Sequence, residues 1–254
     1  MSIRKSDAAF HLRSQGPFAT HFVMSQKRIR ICRTDGLPQP TYYVQALQTE
    51  FAPWAFCEKR SVLNKGQWAT QVFADSSSAP IDLEIGTGNG IHFAHYAEQN
   101  PKRNLIGIEW KFKPLIQSIR RALNHGAKNA RIVRYDAGFP DHLFAAGELD
   151  RVMIHFPDPW PKEKQKKHRL INDAFLTTLF KLQKKGAELE FKTDNRDYFD
   201  WAMECFERSA YQQTSITYDL HNSDYQSENF VTHFEKIFLK QGLPIHRATF
   251  QVPG

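Results

Sequence analysis

From Ile81 onward, short apolar runs alternate with amphipathic stretches, and this alternation limits the fold more than any other feature of the chain. Strands are expected at 81–86, 104–109, 130–135, 152–156 and 187–192. Helices are expected between them at 91–99 and 113–124, with a short one near 140–145 and a longer one over 169–184. In the last of these, apolar residues at 171, 175, 176, 179 and 182 keep close to a 3.6-residue period, and Gly186 is expected to end it. A helix over 198–209 and strands near 214–218 and 245–250 complete the series. Repeated strand–helix units call for an α/β fold with a doubly wound, mainly parallel sheet, because parallel neighbours need crossover connections. One strand fits poorly. Leu189 and Phe191 alternate with Glu188, Glu190 and Lys192, which implies an incompletely covered face.

Ligands of such sheets bind outside the carboxyl ends of the strands. At the first of these ends the chain reads DLEIGTGNG, placing Gly86, Gly88 and Gly90 in the strand-to-helix turn. Glycine there permits a tight turn and lets a ligand approach the backbone. The spacing is not that of the dinucleotide fingerprint, whose third glycine falls one position later. Glu109 ends the second strand, 19 residues beyond Gly90, and Asp136 ends the third. Carboxylates at these positions suit ribose hydroxyls and an adenine amino group. The plain alternative is a turn with capping acids.

The fourth strand end is more distinctive. Val152–Phe156 is followed by PDPWP, in which Pro157, Pro159 and Pro161 stop the ladder and stiffen the turn that carries Asp158. Lys162 to Arg169 then holds five Lys/Arg against one Glu. A rigid acid beside a basic run suggests a reaction centre next to a polyanion site; a solvated surface is the bland reading. The net charge of +7 and pI of about 9.3 favour an anionic partner.

Elsewhere the sequence speaks less. Seven Lys/Arg against Asp7 precede Thr34, and Lys27–Arg33 reads as either a nucleic-acid contact or a charged edge strand. Residues 36–54 read as an irregular segment and 75–80 as a loop. Cys32, Cys57 and Cys205 lack metal-site or disulfide spacing, and imply reduced thiols in the cytoplasm. No apolar stretch approaches 18 residues, so no membrane partner is expected. His92, His95 and Glu98 share a helix face without a further ligand, so no metal is expected.

Taken together, EIGTGNG, GIEWK, HFPDPWPK with its basic run, FKTDN, DLHNS, THFE and GLPIHRA resemble the bacterial TrmB-type tRNA (guanine-N7)-methyltransferases, over about Lys65 to Phe250. The resemblance implies the Rossmann-like, seven-stranded sheet of class I S-adenosylmethionine-dependent methyltransferases. It implies S-adenosylmethionine as cofactor, held by Glu84, Gly86, Gly88, Gly90, Glu109, Asp136 and Asp158, with Asp158 also the catalytic residue. Lys162, Asp194, Thr232, His233, Phe234 and Glu235 would hold the target nucleotide. Lys164, Gln165, Lys166, Lys167, His168 and Arg169 would contact tRNA, although Glu163 interrupts a run that is usually more continuously basic. The expected domains are a basic extension over 1–64 and a methyltransferase domain over 65–254. The expected product is 7-methylguanosine at guanosine 46 of the tRNA variable loop. The expected protein is a cytoplasmic monomer or homodimer with no DNA partner.

The chemistry agrees with the residues. Guanine N7 carries a lone pair and no proton, so no strong base is required. Asp158 and Asp194 can stabilise positive charge passing to the purine and accept from guanine N1–H and the exocyclic amine. Lys162 suits a phosphate. Two rivals remain: a methyltransferase for another RNA or a small anionic substrate, and a non-catalytic RNA-binding protein. The first leaves the basic run unexplained if the substrate is small, and the second leaves the strand-end acids idle.

Overall fold

The computed structural model describes residues 39–254; Lys27–Arg33 and Cys32 lie outside them. Before the main alternation come α1 (Thr41–Gln48), β1 (Ala55–Phe56) and α2 (Glu58–Ser61). The alternation itself is β2 (Ile81–Ile85), α3 (Ile91–Gln99), β3 (Asn104–Ile108), α4 (Phe112–Asn124), β4 (Ala130–Val133) and β5 (Leu149–His155). It continues through α5 (Asp173–Leu182), β6 (Gln183–Thr193), α6 (Arg196–Glu207), β7 (Gln212–Thr217), α7 (His233–Lys240) and β8 (His246–Gln251). The strands form one sheet in the order β1-β4-β3-β2-β5-β6-β8-β7. Only β8 runs against its neighbours, pairing antiparallel with both β6 and β7.

The seven expected strands are all present, and β1 adds an eighth at the edge of β4, where Ala55 pairs with Ile132. Residues 41–64, expected to form part of an extension, therefore contribute a strand to this sheet. Ala46, Leu47, Phe51 and Ala55 bury their side chains with those of α3 and α4. The expected irregular segment contains α1. Pro40 opens it, its carbonyl accepting from the Tyr43 and Val44 amides. Thr, Tyr and Val are weak helix formers, so tertiary burial of Ala46 and Leu47 outweighs local preference.

Two apolar layers flank the sheet. Leu83, Ile85, Val152, Ile154, Leu189 and Phe191 face α5 and α6, while Leu105, Ile132 and Met153 face α3 and α4. This arrangement accounts for the alternation in β6. Toward β6 and β8 the second face becomes polar, with His92 of α3 packed on it: His155 Nε2 lies 2.7 Å from Glu190 Oε1, and Arg247 Nε donates to Glu190 Oε2 at 2.9 Å. Burial, with Lys192 and His92 nearby, lowers the His155 pKa to about 3, so its ring stays neutral. Burial works against the Glu190 charge, yet the donors around it hold its carboxyl well below the ordinary range.

Both ends of one expected helix move. The helix expected at 169–184 begins at Asp173, because the Asn172 side chain caps it by accepting from the Phe175 amide at 3.1 Å. It ends at Leu182, and Gly186 lies inside β6 rather than ending the helix. There its φ of 77° serves an outward bulge between the Leu149–Gln183 and Arg151–Glu188 pairs. Among the described residues no helix is long and apolar enough to cross a membrane.

Candidate active site

The glycine turn leaves β2 with positive φ at Gly86, Gly88 and Gly90. At Gly90 no other residue fits, since an added Cβ would lie 2.3 Å from Ser118 Cα in α4. Above Gly86 an added Cβ would meet nothing within 4 Å, so the turn presents open backbone. Glu109, just past β3, reaches back to this turn. Its Oε2 accepts from the Gly88 amide at 3.1 Å and its Oε1 from the Lys111 amide at 2.9 Å. Burial raises the Glu109 pKa, and these two amides act in the opposite direction. Glu84, nearly fully buried in β2, pairs with His92 Nδ1 at 2.8 Å. Asp136, beyond β4, accepts from the Gly138 amide at 2.9 Å. An open glycine backbone bordered by acids from successive strands suits a ligand that offers hydroxyls, an amino group and positive charge. S-adenosylmethionine has all three.

Past β5 the chain turns through PDPWP. Phe156 and Trp160 bracket this turn with φ of 51° and 44°, the two positive-φ residues other than glycine among the described residues. Bulky side chains in that region are costly, and such strain concentrates at functional sites. Asp158 stands exposed between them. The basic run forms a 3-10 segment, Glu163–His168. Lys162, Lys164, Lys167 and His168 are exposed and Gln165 is half-buried. Lys166 is tied to Glu163 at 2.9 Å and to Asp197 at 3.4 Å. Arg169 is 2% exposed, so it departs from the expectation of a tRNA contact.

The THFE stretch divides in two. Thr232 and Glu235 make the reciprocal capping box of α7, at 3.1 and 2.9 Å. Glu235 is wholly buried and also meets Lys192 Nζ (3.4 Å), Asn229 Nδ2 (2.8 Å) and His221 Nε2 (3.2 Å). Held in this way, Thr232 and Glu235 are turned into the protein interior. His233 and Phe234 are exposed, and the Phe234 ring lies 3.6 Å from where a Gly88 Cβ would be. It is also 6.3 Å from the Phe156 ring. Phe234 thus joins the glycine turn to the PDPWP turn. Asp194, half-buried just beyond β6, has its pKa raised by burial.

Both the sequence and the fold have counterparts among known proteins. A family model described as "Putative methyltransferase" matches residues 78–248. A tRNA (guanine-N(7)-)-methyltransferase of Bdellovibrio bacteriovorus is 52% identical over 206 residues, 81% of this chain and 99% of the relative. The chain belongs to the tRNA (guanine-N(7)-)-methyltransferase family. A second member, from Lachnoclostridium phytofermentans, is 39% identical over 72% of this chain and 84% of its own. The structure of an antibiotic-related methyltransferase superposes with a TM-score of 0.53 over 72% of this chain and 94% of its own. At 19% identity, that likeness speaks for the fold alone. The chain is accordingly an enzyme with the Rossmann-like fold, and S-adenosylmethionine is its cofactor.

In the methyltransferase, the pairing of His92 with Glu84 and the burial of Arg169 have no signature in the sequence. The Thr232–Glu235 helix start did have one, the T-x-x-E spacing. Among the described residues no group of His, Cys, Asp and Glu forms a metal site. His95 instead stacks on Phe230 at 3.8 Å, and Glu98 meets His125 at 3.0 Å. A cavity of about 310 Å³ beside α3 is lined by His92, Arg151, Glu190, Lys192 and Arg247, among others, and by none of Glu109, Asp136, Asp158 or Asp194.

Proposed function

We propose that Asp158 is the catalytic carboxylate in methylation of N7 of guanosine 46 in the tRNA variable loop. The observation that carries this reading is the meeting of the glycine turn, the PDPWP turn and α7 at Phe234, with exposed basic residues alongside. Bound S-adenosylmethionine supplies a methyl group on a positively charged sulfur, which N7 takes up as the S–CH₃ bond breaks. Asp158 stabilises the positive charge arriving on the purine, and with Asp194 it accepts from guanine N1–H and the exocyclic amine. Adenine offers no N1–H and fails that pattern. Glu84, Glu109, Asp136 and the glycine turn hold the cofactor, and Lys162 takes a phosphate of the target. Exposed His233 and Phe234 border the entry for the base. Mapping the modified nucleotide in tRNA incubated with protein and S-adenosylmethionine tests the whole reading; methyl on any other position or on no tRNA refutes it.

If Glu109 holds the ribose hydroxyls, Glu109→Ala weakens cofactor binding, since hydrogen bonds to charged groups contribute about 1.5–3 kcal/mol. Calorimetric titration of S-adenosylmethionine should show at least a ten-fold loss of affinity, about 1.4 kcal/mol. Unchanged affinity would remove Glu109 from the cofactor site.

The exposed cations act through phosphates. Lys164→Ala with Lys167→Ala should weaken tRNA binding whatever the base sequence, each lost contact lowering the salt slope by about 0.7–0.9. A double variant with the wild-type slope means that the basic run is only a solvated surface. On this reading tRNA, rather than DNA, is the nucleic acid partner, and the protein works in the cytoplasm as a monomer or homodimer.

A further inference from the structure

We propose that Arg169 is a positioning residue for Asp158, holding the PDPWP turn by its carbonyl rather than binding tRNA. The inference rests on the catalytic role given to Asp158 above. Arg169 ends the basic run, yet its guanidinium is buried under the turn. Nε donates to the Pro159 carbonyl at 2.9 Å, one residue from Asp158. The Nη2 group pairs with the Asp197 carboxylate, and Nη1 reaches the Asp197 carbonyl at 3.5 Å. The guanidinium carbon lies 5.0 Å from the Tyr198 ring centroid and 5.4 Å from that of Trp201. Those two rings are themselves fixed. Tyr198 Oη accepts from the Ile171 amide at 3.0 Å, and Trp201 Nε1 donates to the Ile171 carbonyl at 3.0 Å.

Every donor of this guanidinium that finds a partner is thus spent inside the protein, on the turn and on α6. The turn needs such an anchor. Its prolines offer no N–H, so the ladder cannot hold it, and Phe156 and Trp160 sit in strained backbone that must be over-determined by its surroundings. Arginine suits the task because its planar fork reaches a carbonyl and a carboxylate at once and stacks on aromatic rings. Lysine, with a point charge, cannot serve both partners in the same geometry.

The test uses the full chain with Arg169→Lys and, separately, Asp197→Asn, which frees the guanidinium by changing an exposed residue. Single-turnover methylation of tRNA at saturating cofactor and tRNA should slow about 10²-fold for Arg169→Lys, because a shift of about 1 Å in a catalytic group costs that much. The tRNA dissociation constant and its salt slope should stay within two-fold of wild type. Asp197→Asn should slow the same step in the same direction, and Asp197→Glu should restore part of it. The Arg169→Lys/Asp158→Asn double variant should be no slower than Asp158→Asn alone, since both act through one carboxylate. A lost salt slope with wild-type turnover at saturation would make Arg169 a phosphate contact and overturn the proposal. Additive losses in the double variant would overturn it too. Asp158→Asn at wild-type speed would instead remove the catalytic reading on which the proposal stands.

Discussion

Asp158→Asn is expected to cut single-turnover methylation by about 10²–10³-fold, the usual cost of removing a preorganised group that faces developing charge. Asparagine keeps the shape of the side chain and removes its negative charge. The turn should keep its form, because Phe156, Trp160 and the flanking prolines set it through the backbone. Asp158 is exposed, so no buried partner is orphaned by the change, and thermal stability should move by less than about 0.5 kcal/mol. Binding of tRNA should barely change, since phosphate contacts supply most of it. Saturating both substrates isolates the methyl-transfer step from binding. A rate within a few-fold of wild type would show that the carboxylate only shapes the turn, and Asp194 would be the acid to test next.

How far such sites can be read without coordinates depends on the range of the forces that build them. The positions of the glycine turn, Glu109 and Asp136 at strand ends were legible because such ends are marked locally, by apolar runs that stop at charge or glycine, whereas Glu84 entered only through the family resemblance. The parallel sheet was legible for the same reason. Helix α1 was not, because its residues favour helix weakly and burial on the fold decides the matter. The alternation in β6 was visible but unexplained, as its partners lie far off in sequence. His155 stands 35 residues before Glu190, and Arg247 57 residues after it. Arg169 is the sharpest case. Within its run it looks like one more surface cation, and only the return of α6 under the PDPWP turn makes it an interior group. Charge composition therefore located a basic surface without telling which of its cations are exposed.

The same distinction gives Glu235→Ala an expected result opposite to the one its family motif suggests. A nucleotide contact at Glu235 would predict normal stability and a raised KM for tRNA. The observed carboxylate is wholly buried against Lys192, itself only 2% exposed, and it also takes hydrogen bonds from the Thr232 amide and Asn229. Removing one partner of such a pair leaves an uncompensated charge in the interior, a loss of about 3–5 kcal/mol. Urea denaturation at neutral pH should show a loss of that size. Turnover should fall as well, because α7 would no longer hold Phe234 over Gly88. The pH dependence supplies an independent check. Burial works to raise the Glu235 pKa, but Lys192 and the donated hydrogen bonds outweigh it and hold the carboxyl below its ordinary value of 4.5. As pH falls below that value, the unfolded chain takes up a proton that the folded chain still refuses, so wild-type stability declines. Glu235→Ala has no such carboxyl, and the gap between the two proteins should narrow in acid. A loss under about 1 kcal/mol at neutral pH, the usual size for a surface ion pair, would return Glu235 to the nucleotide site.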